Sequence, residues 1–505
     1  MTVTMNVQIT LVPVSGGEFP ATATSCLLTA QYSANTTRTY TAPIGNTKVA
    51  SITIEWDQVP VGGTVNFIIA MTDPNGWGVG KGQSGSITNL INGKDQNGNP
   101  ALVVQISVEQ QRYPLGPDTT YLHSQLLTYG STGGGTGYFW QPTKQAPTAT
   151  VQNLGTGPTG HVLERLHGIT ISDDLGLLGY AWEASGLNIP PIDDDTPQTE
   201  LFTMQSIGFK PLANDTSPLW PQAGYMTAPA GYSKGVRLLY LRTAQGAPGV
   251  FGTGCFFLDP SGDRTSGFHL RQVTPVTSAS VPMNDPSRRF SLATGRSFGK
   301  FSVYPTSLAI HSNCYVVAVN SRYDTLQILK LPPQELPDAQ APWAFMPTGA
   351  GTGPGRLGAP TLVAIRPDQT ILVLEAGNRR IQAFSCGGHP VSIAPLSAQP
   401  VFWTPLEPHA PAGTNVVYLS MSVDVVGYAY VLSYSGNGYD ASDFWLDIYS
   451  PTGAHLCAQQ GFVAAGLAVD LWRNAYTVNF QQMSGPSGRT EPSVSEYIPS
   501  TPKPA

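Results

Sequence analysis

Charge is the first thing this chain has little of. Only 11% of its 505 residues are Asp, Glu, Lys or Arg, and the net charge is −6, against a usual charged share of about a quarter. Lysines and arginines form no cluster, so a phosphate-tracking surface is not expected and nucleic-acid binding is set aside. Cysteine is also sparse. The five residues Cys26, Cys255, Cys314, Cys386 and Cys457 lie far apart, with no C-x-x-C pair. That scatter reads as reduced, mostly buried thiols and leaves room for one disulfide. Long apolar runs are missing too: none approaches the ~18 residues of a membrane helix, so membrane insertion is not expected. The opening "MTVTMNVQITLVPVSGG" has no basic segment and no small-residue cleavage site. The chain therefore reads as cytoplasmic, or as exported by a leaderless route.

Glycine and proline, by contrast, are abundant. The 54 glycines and 44 prolines approach a fifth of the chain and punctuate apolar runs rather than forming a low-complexity tract. With plentiful Val, Thr and Tyr, they predict many short strands joined by tight turns. Residues 1–100 alternate strand-like runs ("CLLTAQYS", "KVASITIEW", "TVNFIIAMT") with turn signals ("APIGN", "VPVGG", "DPNG"). That spacing predicts a small antiparallel β-sandwich domain. Residues 101–160 read as connecting strands that join the following domain, with "GSTGGGTGYFW" as a hairpin tip.

From residue 161 to 505 a grammar recurs: a Gly- or Pro-marked entry, then an apolar strand, a polar turn, a very apolar strand, a turn and a third strand. It is clearest in "PTLVAIRPDQTILVLEAGNRRIQAFS" and "TSLAIHSNCYVVAVNSRYDTLQILKL". Corresponding positions return at intervals of roughly 45–58 residues, the length of a four-stranded blade. The expected fold is all-β: a β-propeller of about six blades behind the sandwich. The stretch "GTGPGRLGAPTLVAIRPDQTILVLEAGNRRIQAFS" resembles an NHL-type β-propeller repeat. The shared elements are Gly353, Gly355 and Pro360 at the entry, and a G-N-x-R-I corner at Gly377, Asn378, Arg380 and Ile381. Glu375 stands where that family usually carries Asp. At the corner, Gly377 and Asn378 are expected to take positive φ. Arg380 is expected to reach Glu375 across the hairpin, and Arg379 to face solvent.

No catalytic constellation is visible. The eight histidines (His123, His161, His167, His269, His311, His389, His409, His455) form no H-x-H or H-E-x-x-H pattern, and no metal site or cofactor is expected. There is no G-x-S-x-G elbow. Asp193, Asp194, Asp195 and Glu200 lack the spacing and central glycine of a calcium loop. "GPGRLGAP" and "GSTGGGTG" lead into no helix and so are not phosphate cradles. What remains are aromatic residues near predicted loops or blade edges, Trp343, Trp403, Tyr439 and Trp445, and the extra cation Arg379. Exposed rings stack on sugars or anchor protein interfaces. The leading expectation is a non-enzymatic binding or scaffold protein with a protein or glycan partner, its N-terminal domain docking to a larger assembly. The alternatives are a metal-dependent lyase or hydrolase of the NHL-propeller type, or a cargo or effector of an injection system.

Overall fold

In the computed structural model the described residues are 3–128, 306–330, 350–384, 402–478 and 493–500, apart from short stretches within them. Between 137 and 301 the backbone of the strands is described. Among these residues the chain is β throughout, with one 3-10 turn at Ala441–Asp443. No helix among them is long and apolar enough to cross a membrane.

The first unit contains β1 (Val3–Pro13), β2 (Ser25–Ser33), β3 (Thr36–Pro43), β4 (Val49–Trp56), β5 (Asn66–Thr72), β6 (Gly78–Gln83), β7 (Gly93–Lys94) and β8 (Pro100–Gln110). The expected two facing sheets are replaced by one continuous sheet in the order β3-β2-β5-β6-β8-β1-β4, with β7 on β8. Its edge strands β3 and β4 meet, so the sheet curls into a nearly closed barrel. Residue 100 is no boundary here, because β8 lies parallel to β1, with Asn6 opposite Ala101 and Pro13 opposite Val108. A parallel partner must return by a long crossover, and local turn signals cannot reveal it. Alternate residues fill the interior: Val7, Ile9 and Leu11 from β1, Phe67, Ile69 and Met71 from β5, and Leu102, Ile106 and Val108 from β8. This is the period-two rule of a strand with one face in the core.

Strand β5 departs from that rule in an informative way. Its other face, Ile68 and Ala70, is buried as well, against Leu471 and Trp472. The uninterrupted apolar run "FIIAM" therefore serves two cores at once.

After the barrel and a two-stranded pair at Gly137–Tyr138 and Val151–Gln152, the described residues form six antiparallel sheets in chain order, three strands in the third and four in the others, the first five pairing sequential strands. Their first strands are His161–Ile171, Leu238–Arg242, Ser307–His311, Pro360–Ile365, Val416–Val423 and Gly466–Val469. Each touches the next, and the last touches the first. A ring of up-and-down sheets closed in this way is a β-propeller. Closure of the sixth sheet uses β9 (Thr120–Thr128), which pairs with Ser493–Ser500 as the outermost strand. Tyr121 secures it. Its hydroxyl donates to the Arg473 carbonyl at 2.9 Å, and its backbone exchanges hydrogen bonds with the Gln459 amide at 2.6 and 3.1 Å. Its ring meets Tyr430 and Phe462 edge-on.

Two strand-end turns of the propeller carry the barrel. In "DVVGYAY" and "DLWRNAY", Asp424 and Asp470 perform the same task. Asp424 Oδ1 accepts the N–H groups of Val426, Gly427 and Tyr428, and Asp470 Oδ1 those of Trp472 and Asn474. The tyrosine six residues on donates to the other oxygen in each case: Tyr430 at 3.2 Å and Tyr476 at 3.3 Å. The left-handed position is filled by Gly427 (φ 100) in one turn and Arg473 (φ 68) in the other. A tryptophan from each unit enters the other's territory. Trp77 Nε1 donates to Asp424 Oδ2 at 3.2 Å, and Trp472 Nε1 to the Gly80 carbonyl at 3.3 Å. Backbone joins backbone where Gly78 N–H donates to the Leu471 carbonyl. The Arg473 guanidinium lies 4.6 Å from the Trp77 ring centroid. Burial of this cation lowers its pKa from the ordinary guanidinium value, opposed by the tyrosines and carboxylates around it.

Trp472→Ala is expected to lower stability in urea unfolding by about 3–5 kcal/mol, the usual result of emptying a tryptophan-sized core site. Gly78→Ala places a Cβ 2.6 Å from Trp472 Cδ1. It should cost about 1–3 kcal/mol by overpacking, and the double variant should cost less than the sum of the two.

Candidate functional site

The G-N-R-R corner is built from the fourth sheet outward. Strands Ile371–Glu375 and Arg380–Phe384 are buried along their whole length, and residues 376–379 join them. The residue with positive φ is Arg379, at 48°, and not Gly377 or Asn378: a four-residue connection places its left-handed position last. Gly377 is required for a different reason. A Cβ there would stand 2.9 Å from the Gly358 carbonyl oxygen, the same oxygen that accepts the Gly377 N–H.

Glu375 is fully buried, and its carboxylate is saturated. Oε1 takes Arg380 Nε at 2.8 Å and the Gln382 amide. Oε2 takes Asn378 Nδ2 at 2.6 Å and Gly358 N–H at 2.8 Å. The rest of the Arg380 fork donates to the carbonyls of Thr352, Gly353 and Arg356. One buried ion pair thus holds the whole Gly-rich entry loop. The arrangement leaves no group on Glu375 or Arg380 for a ligand. Arg379 is half-buried rather than solvent-facing, and donates to the Thr414 carbonyl at 2.7 Å.

Beside this corner, side chains from three segments converge. Asp447 projects from the very apolar strand Phe444–Tyr449 and is buried. His409, in the connection after the fourth sheet, places Nε2 2.8 Å from both carboxylate oxygens of Asp447. His455, opening the fourth strand of the fifth sheet, places Nε2 3.0 Å from Oδ1. Its Nδ1 lies 3.5 Å from Glu407 Oε1. The His409 ring lies flat on the Trp445 indole, centroids 4.0 Å apart and planes 1° from parallel. Glu407 N–H donates to the Tyr449 hydroxyl at 3.0 Å. Exposure grades outward, from 5% for the Asp447 side chain through 13% for His409 and 26% for His455 to 41% for Glu407. The hydrogen bond to Asp447 is the main reason the His455 pKa is raised above 6.5; burial opposes it, and the Glu407 charge adds to it. Burial pushes the neighbouring Cys457 thiol up to about 11, and likewise Cys26 in the barrel, which makes both poor nucleophiles.

Of the sequence-predicted residues, only Trp445 belongs to this cluster, with Arg379 close by: both Arg379 and Asp447 act electrostatically on the buried Tyr418 hydroxyl. Trp403 lies opposite Gln382 on the outer strand of the fourth sheet, its side chain outside the described residues. Trp343, Tyr439 and Asp193–Asp195 also lie outside them. The sequence reading missed His409, Asp447 and His455 as a group because they come together only through neighbouring sheets. One signal was present: an aspartate in the middle of "FWLDIY" must find donors if that strand is buried. Among the described residues no three His, Cys, Asp or Glu side chains are arranged to hold a metal ion.

No protein-family model matches the chain, and no curated relative matches it. Solved structures are similar at low level. A periplasmic gluconolactonase of Pseudomonas aeruginosa aligns at 13% identity and TM-score 0.38, over 75% of this chain and 99% of its own. A calcium-binding regucalcin of Agrobacterium tumefaciens aligns at 10% identity and TM-score 0.35, over 69% and 94%. A streptogramin B lyase aligns at 9% identity and TM-score 0.29, over 68% and 95%.

Arg380→Ala should cost about 3–5 kcal/mol in urea unfolding, because it strands the buried Glu375 carboxylate; Arg379→Ala should cost less than about 1 kcal/mol. His455 contributes pH-dependent stability of definite sign. Its folded pKa is raised, so its contribution is complete below about 6.5 and is lost as pH rises through the folded value. Melting temperatures of wild type and His455→Asn should differ most at acid pH and converge in alkali.

Proposed function

We propose that this chain is a non-enzymatic binding protein in which a six-bladed, NHL-like propeller presents a preorganised rim to a glycan or protein partner. The barrel, seated on the strand-end turns of the fifth and sixth sheets, is its base in a larger assembly. The observation that carries this reading is the cluster around Trp445. A flat aromatic ring, two imidazoles, two carboxylates and the nearby Arg379 converge at a half-exposed position beside a rigidly pinned corner. Rings with polar neighbours recognise sugars and protein hot spots, and preorganisation reduces the ordering cost of binding.

A second reading, an enzyme, is favoured by one feature of the same cluster. Asp447 orients two imidazoles, as a carboxylate orients a general base.

A glycan array and a screen of lactone and ester substrates separate the two. The binding reading predicts retention of an oligosaccharide class, weakened about tenfold or more in Trp445→Ala, with no turnover. Turnover abolished by His455→Ala, without glycan retention, would establish the enzyme instead.

A further inference from the structure

The connection leaving the fourth sheet, residues 406–409, is held at both ends by identifiable contacts. Leu406 N–H donates to the Arg379 carbonyl and Glu407 N–H to Tyr449. At its far end His409 covers Trp445 and points Nε2 at Asp447. Between them sits His455, with one ring nitrogen 3.0 Å from Asp447 and the other 3.5 Å from Glu407. An imidazole with a carboxylate at each nitrogen can serve both only as the imidazolium, since the neutral ring has one N–H and one lone pair. Loss of the proton leaves either Glu407 or Asp447 facing a lone pair.

We propose that His455 is a proton-operated latch: as the imidazolium it ties Glu407, and with it the 406–409 connection, to the fifth sheet, and on deprotonation it loosens that connection over Trp445. Asp447 is the buried, better-hydrogen-bonded partner and keeps the remaining N–H. Glu407, 41% exposed, is the partner that lets go. The other titratable and charged groups around His455 are His409 from the connection, Tyr449 from the neighbouring strand and Cys457 on its own strand, with Tyr418 and Arg379 flanking Asp447. Tyr449 and Cys457 are held neutral by burial across the range in which His455 titrates. Arg379 is committed to the Thr414 carbonyl.

The consequence for recognition is that the His409 cover on Trp445 is opened more easily as pH rises. That step rests on the binding reading above; the latch itself does not.

Backbone hydrogen exchange tests it on the full chain at pH 5.5 and pH 8.0, with rates corrected for intrinsic pH dependence and referenced to barrel strand β5. Protection of the Leu406, Glu407 and His409 amides should fall about twofold to threefold at the higher pH, the scale of a partly exposed ion pair. The fall should vanish in Glu407→Gln, a conservative change at an exposed side chain, and in His455→Asn. In parallel, the His455 ring titration followed by NMR should move to lower pH in Glu407→Gln. Protection that is the same at both pH values, or a His455 midpoint unmoved by Glu407→Gln, would overturn the latch. So would a Glu407→Gln protein that keeps the wild-type pH dependence of exchange.

Discussion

The structure depends on how a ring of sheets is closed by a strand from outside the repeats. A propeller has no chain end that naturally seals its last sheet, and an open edge is a site for unwanted pairing. Here β9 supplies the missing outer strand, and Tyr121 sets it by reaching across to the Arg473 carbonyl. The same turn that accepts Tyr121 displays Trp472 to the barrel. Ring closure and barrel docking therefore share residues, and neither unit is packed independently of the other. Ile68 and Ala70 of β5 would be an exposed apolar stripe without the propeller.

Two kinds of buried charge serve that architecture. Glu375 with Arg380 is a closed pair that organises a loop and presents nothing outward. Asp447 differs: it holds two imidazoles, of which His455 has its pKa raised by that contact, and exposure rises from the carboxylate outward. The first arrangement gives rigidity, and the second gives a place where solvent conditions reach the structure. Groups able to meet a ligand therefore lie around Trp445 and not at the arginine corner.

Much of this was legible in the sequence, unevenly. The strand grammar and its roughly blade-length period reflect local turn chemistry, which short-range patterns record well. The parallel return of β8 to β1 leaves no such trace, and the local turn signals of the curled sheet are those of a sandwich. At the corner, residue types were readable but conformations were not: Gly377 looked like a φ > 0 glycine and is a close-approach glycine. The recurrence of D-x-x-x-[YN]-A-Y at Asp424 and Asp470 was there to be found. The imidazole pair was not, because His409 and His455 meet Asp447 only through the packing of adjacent sheets.

The barrel is fixed to the propeller by the Trp77–Trp472 interlock and not merely by the covalent chain. The direct measurement is to introduce a specific protease site between Gln110 and Thr120, cleave it, and follow the two fragments by size-exclusion chromatography under native conditions. The account predicts co-elution of the barrel fragment with the propeller. Separation of the fragments with both still folded would contradict it.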